Sequence, residues 1–181
     1  MSDDLKFMHP FSCILSEPSG CAKTSFVKRF LQNFHHLCTE PIFAGGIVWC
    51  YGEKSAVASS LPTYVTFNKG VPENFGSANG EPSRMILEDP LTDVYSKQVC
   101  ELFTLGSHHR NISVILITQN LFHQGRIFRD ISLNTHYILA LKNIRDKKQF
   151  MYLAGQVYPK KVWVYITLTW TRHKNPTVTS S

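Results

Sequence analysis

The five cysteines, at positions 13, 21, 38, 50 and 100, form no C-x-x-C pair. The spacing of a zinc ribbon or a dithiol redox centre is therefore missing, and an odd count at scattered intervals does not build a disulfide framework. Reduced thiols in an intracellular, reducing compartment are the expectation. Long apolar runs are lacking too. ISVILI and HYILALK fall well short of the ~20 residues a membrane-spanning helix needs, so no membrane partner is expected. The N-terminal MSDDLKFMHP starts acidic and polar, unlike a secretory signal. Charge is sparse at 18% against 43% hydrophobic residues, a balance that excludes a disordered chain and fits a packed core. Basic runs of six or more are absent although the net charge is +6. The excess is scattered over Lys28, Arg29, Arg110, Arg126, Arg129, Lys142, Arg145, Lys147, Lys148, Lys160 and Lys161. Such a surface permits polyanion binding but equally suits ordinary solvation. Adjacent histidines, His35-His36 and His108-His109, point ~100° apart on a helix, which suits surface or capping roles better than a metal site.

Glycine is missing where it matters most. In SEPSGCAKTSF, residues 16–26, the lysine and threonine of a phosphate-binding loop are present. The pattern G-x-x-x-x-G-K-[ST] has Glu17 at its first glycine and Ala22 at its second. Such a loop turns backbone N–H groups toward phosphates at a helix N-terminus. Lys23 would reach the β- and γ-phosphates and Thr24 would ligate magnesium, with Ser19, Gly20, Cys21, Ala22 and Ser25 completing the cradle. Ala22 adds modest crowding. A Glu17 carboxylate near a triphosphate would repel it and weaken binding.

The flanks supply the context this loop requires. FSCIL (11–15) predicts a buried strand, and Phe26, Val27, Phe30, Leu31, Phe34 and Leu37 recur at helical spacing. IVWCY (47–51) predicts a second strand, TYVTF (63–67) a short one, and RMILED (84–89) a strand ending in two carboxylates. Val94, Val99, Leu102 and Phe103 mark a helix up to Gly106. NISVILITQN (111–120) and HYILALK (136–142) predict strands, Phe150, Leu153, Ala154 and Val157 a helix, and VWVYITLTW a closing strand. A chain of 181 residues in this alternation is one three-layer α/β domain, spanning 1–181, with a mainly parallel sheet.

Two further strand ends carry chemistry. In MILEDP, Glu88 would hold magnesium through water and Asp89 would polarise the attacking water; the alternative is a plain acidic turn. In VILITQN, Gln119 or Asn120 stands where a nucleotidase with an additional strand places its γ-phosphate sensor; the alternative is a turn cap. Loop, acidic strand and polar-tipped strand follow in order, each at a C-terminal strand end, where open α/β sheets bind ligands.

HPFSCILSEPSGCAKTSFVKRFL, IVWCYGE, ELFTLGSHHRNISVILITQNLFHQG, RDISLNTHYILALKNIRDKKQF and LAGQVYP together resemble the packaging ATPases of Polinton/Maverick elements and adintovirus-like viruses. Those are similar to poxvirus-type genome-packaging ATPases of the FtsK/HerA superfamily of P-loop NTPases. The resemblance runs from about residue 9 to 159 and is most specific in GSHHRNISVILITQNLFHQG. It implies ATP and Mg2+ as cofactors, a homo-oligomeric ring, double-stranded DNA as the partner, and a place in the host nucleus or cytoplasm or with the virion. It implies Lys23 and Thr24 as phosphate and magnesium residues, Glu88 and Asp89 as the acidic pair, and Gln119 as sensor. Arg129 and Arg145 are the alternatives for an arginine reaching a neighbouring subunit's γ-phosphate. The chain departs from the family at EPSGCAKT for G-P-S-G-S-G-K-[ST], at Glu-Asp for Asp-Asp, and in its tail, 160–181. Weak magnesium-dependent ATP binding with slow or no turnover is expected. The alternatives are a catalytically dead DNA-binding or assembly module that keeps the fold and, less favoured for want of an arginine-rich lid, a small-molecule or nucleotide kinase.

Overall fold

Aliphatic and aromatic runs bounded by loop residues become strands, because such side chains pack well on a pleated surface. In the computed structural model, which describes residues 6–16, 23–39, 46–52, 61–72, 83–88, 96–106, 111–119 and 125–140, the elements follow one another in this order. They are β1 (Ser12–Ser16), α1 (Lys23–Leu37), β2 (Ile47–Tyr51), β3 (Val65–Lys69), β4 (Ser83–Glu88) and α2 (Lys97–Glu101), which runs into a wider π-helical turn at Leu102–Gly106. Then come β5 (Ile112–Thr118), α3 (Arg126–Leu133) and β6 (Tyr137–Ala140). The predicted helix at 150–157 and strand at 162–170 lie outside the described residues.

The six strands form one sheet in the order β3-β2-β4-β5-β1-β6, every neighbouring pair parallel. Parallel crossovers are right-handed, so the direction of travel across the sheet decides which face each connection covers. From β1 to β2 and on to β3 the chain moves toward one edge; from β3 to β4, β5 and β6 it returns. The two sets of connections must therefore lie on opposite faces, and the core divides that way. On one face Val27, Phe30, Leu31 and Phe34 of α1 pack over Cys13, Leu15, Trp49, Ile86, Ile115 and Ile117. On the other, Val99, Leu102, Phe103, Phe128 and Ile131 pack over Ile14, Cys50, Met85, Leu87, Val114 and Leu116. The period-2 alternation of side chains along each strand makes both faces apolar. This is the expected three-layer α/β architecture.

Helix α3 is an element that the hydrophobic pattern did not announce. It is eight residues long, and Gly125 at its N-cap has φ of +153° and makes no side-chain capping bond. No Ser, Thr, Asp or Asn signals its start. It is held by Phe128 and Ile131, both buried. By contrast α2 starts at Ser96, whose hydroxyl accepts the Val99 N–H at 3.3 Å.

Among the described residues no helix is long and apolar enough to cross a membrane. Cys13, Cys38, Cys50 and Cys100 are free thiols. Burial pushes the Cys13 thiol far above its ordinary range and the Cys50 thiol up to about 12 from 9.0. A folded value above the unfolded one contributes stability that is complete below pH ~9 and is lost as pH rises through the folded value. Each of these two thiols is expected to withdraw about 1 kcal/mol by pH 10. Urea unfolding at pH 8 and pH 10 measures the drop, and the Cys13→Ala/Cys50→Ala variant should show a smaller one.

Candidate functional site

Ser16 and Thr118 are register partners at the ends of β1 and β5, Ala140 of β6 is level with Ser16, and Glu88 of β4 is level with Ile117. The C-terminal ends of β6, β1, β5 and β4 thus make one even edge. With ~4.8 Å between neighbouring strands, the β1 and β4 backbones are about 10 Å apart there, β5 lying between them. The chain leaves β1 for the α1 face and reaches α3, on the opposite face, after β5. This divergence between adjacent strands is a topological switch point, the place where open α/β sheets have a crevice.

Helix α1 points its N-terminus at that edge. Its other end is tied to the opposite edge: Phe7 N–H donates to the Leu37 carbonyl at 2.7 Å, and Tyr64, just before β3, donates its hydroxyl to the Leu31 carbonyl at 2.9 Å. Fifteen residues at 1.5 Å rise carry the helix about 22 Å back along the strands. Lys23, Thr24 and Ser25 are its first three residues and form the first turn, whose N–H groups point along the helix axis toward this edge. These groups and the helix dipole favour an anion. Glu17 and the rest of the loop, Ser19, Gly20, Cys21 and Ala22, lie outside the described residues.

Glu88 ends β4 half-buried. Its Oε2 accepts a hydrogen bond from the indole Nε1–H of Trp49 at 3.0 Å. Trp49, 1% exposed, stands opposite Ile86 in the β2–β4 register, and both belong to the core on the α1 face. Glu88, two residues beyond Ile86, shares that face with α1. Gln119 is exposed immediately beyond β5, next to the buried Thr118. The structure therefore gathers the α1 N-terminus, Glu88 and the tip of β5 at one edge. Asp89, Asn120 and Arg145 lie outside the described residues. Arg129 is exposed on α3, across the sheet from α1.

Two residues of consequence escaped the sequence pattern. Trp49 looked like one more apolar strand residue, and only the pairing of β2 with β4 brings its N–H to Glu88. Arg84 looked like a polar flank of β4, yet it is 1% exposed. Its guanidinium carbon lies 5.4 Å from the Phe34 ring centre and 5.9 Å from that of Phe11. Burial pulls its pKa down to about 10, partly offset by its hydrogen bond with Cys38. Burial in turn raises the Cys38 thiol in spite of the guanidinium beside it. This cluster lies at the start of β4, one strand length from Glu88.

The same far edge carries a serine–histidine–asparagine arrangement. His9 Nδ1 is 2.6 Å from Ser113 Oγ, and His9 Nε2 is 3.0 Å from Asn111 Oδ1. Ser113 is fully buried and its oxygen accepts the Phe11 N–H at 3.1 Å, so it fastens β1 to β5 and is closed to substrate. Ser12 and His136, 2.9 Å apart, fasten β1 to β6 in the same way.

Among the described residues no group of three His, Cys, Asp or Glu side chains could cage a metal ion. Magnesium at a nucleotide uses one or two protein oxygens plus phosphate and water, and a carboxylate at Glu88 is a donor of that type. No family model, curated protein or solved structure matches the chain.

Proposed function

We propose that the chain is an ATP-binding, magnesium-dependent nucleotidase domain of the genome-packaging type, with a phosphate loop weakened at Glu17 and Ala22. The observation that carries this reading is the position of β5 between β1 and β4, their C-terminal ends level. A gap of two strand spacings, about 10 Å, gives room for a γ-phosphate, its metal and an attacking water between the α1 N-terminus and Glu88. Adjacent β1 and β4 would leave the middle strand no part in that chemistry.

In this reading the first N–H groups of α1 bind phosphate oxygens, and Lys23 neutralises charge that builds on the transferred group. A magnesium ion here would supply positive charge to offset that of the phosphates. Thr24 and Glu88 would hold it, Asp89 polarises the attacking water, and Gln119 orients that water from the middle strand. Arg129 or Arg145 would serve the site of the next subunit in a ring. Double-stranded DNA as substrate follows from the family resemblance, and exposed basic residues of one face, such as Arg126 on α3, would grip its phosphates without reading sequence.

The test is Mg-ATP binding by the wild type and by Lys23→Ala. Binding that needs both magnesium and Lys23 supports the reading. Salt-dependent DNA binding without any thermal shift from Mg-ATP would replace it with a dead DNA-binding module.

A further inference from the structure

We infer that Trp49 is a positioning residue for Glu88, holding its carboxylate so that one defined oxygen faces the metal position. The inference rests on the nucleotidase reading above. Glutamate carries one more rotatable bond than aspartate. That bond lets the carboxylate swing through several rotamers at a half-buried strand end, which weakens any single geometry. Trp49 removes the freedom. Its indole is locked in the core at 1% exposure, and its Nε1–H reaches Glu88 Oε2 at 3.0 Å. Hydrogen bonds to an ionised acceptor are among the stronger ones. With Oε2 engaged by the indole, Oε1 is the oxygen left to serve a magnesium ion, and Glu88 stands on the sheet face that carries α1.

The strand pairing makes the contact specific. Trp49 and Ile86 are partners in the parallel β2–β4 ladder, and Glu88 follows Ile86 by two residues on the same face. A buried tryptophan needs some acceptor for its N–H, so a purely structural role is the competing account. The two differ in what magnesium does. If Trp49 positions a metal-binding carboxylate, metal and indole report on each other. If it merely satisfies its own N–H, they do not.

The experiment follows the Trp49 indole N–H resonance in the wild type as magnesium is added with ATP, and compares magnesium titrations of ATP binding in Trp49→Phe and Glu88→Gln. The resonance is expected to shift with the same midpoint as binding. Trp49→Phe, which keeps the ring but not the donor, should need about tenfold more magnesium, the equivalent of one charge-assisted hydrogen bond. Glu88→Gln, whose amide oxygen still accepts the indole proton through a weaker, neutral bond, should show a displaced resting resonance and lose the magnesium response. Should Trp49→Phe fail to fold, the wild-type resonance and Glu88→Gln decide. Magnesium-dependent ATP binding with an unmoved indole resonance, or with an unchanged midpoint in Trp49→Phe, overturns the positioning role and leaves the site reading standing. A wild type that binds no nucleotide with magnesium overturns both.

Discussion

Replacing Glu17 and Ala22 together with glycine is expected to raise Mg-ATP affinity by roughly fivefold to several hundredfold. The range follows from the repulsion between a carboxylate and a phosphate charge at ~4 Å, about 1 kcal/mol in water and about 4 kcal/mol near a protein surface. Glu17 carries most of this effect, because it introduces a like charge where the loop must accept a polyanion. Ala22 immediately precedes the first helical residue, Lys23, where a methyl group crowds the chain only modestly. Glu17→Gly alone should therefore account for most of the gain, and Ala22→Gly alone for little. Calorimetric titration with Mg-ATP separates the three variants. No gain in the double variant would place the weakness outside the loop, at Glu88 first.

Arg84→Ala is expected to destabilise the fold by about 3–5 kcal/mol, as other large-to-small core replacements do. The side chain is 1% exposed and stacks on Phe34 and Phe11, so its removal leaves a cavity between α1 and β4. Arg84→Met should cost far less. The lowering of the guanidinium pKa from 12.5 to about 10 corresponds to roughly 3 kcal/mol of burial penalty, which a neutral side chain of similar length escapes. Against this stand the lost cation–π contacts, about 1–2 kcal/mol each; the interaction with Cys38 is already contained in the lowered value. The two sides nearly cancel. Urea unfolding of both variants measures the difference, and a methionine variant as unstable as the alanine one would show that the charge itself holds α1 to the sheet.

Much of the architecture was legible because its signals are local. β1, β2, β4 and β5 are apolar runs in the chain, and α1 shows its buried stripe in Val27, Phe30, Leu31 and Phe34. Glu88 and Gln119 were legible as polar residues closing apolar strands. Strand order was not. Strands buried on both faces share one Val/Ile/Leu vocabulary, so Ile112–Thr118 carries no mark that it sits between β1 and β4. That position is set by which crossover packs on which face. α3 escaped because its buried face needs only Phe128 and Ile131 and its start has a glycine where a capping side chain would be. Trp49 and Arg84 escaped for a related reason: each acquires its role from a partner 39 to 50 residues away, brought near by strand pairing or by the C-terminal end of α1.

The edge formed by β1, β5, β4 and the N-terminus of α1 is proposed as a magnesium-nucleotide site. Its most direct test is equilibrium binding of Mg-ATP to the wild type and to Lys23→Ala, with single-turnover hydrolysis on the same samples. Weak, magnesium-dependent binding is expected in the wild type and its loss in Lys23→Ala, with any hydrolysis lost in parallel. Binding or turnover that survives intact in Lys23→Ala would contradict it.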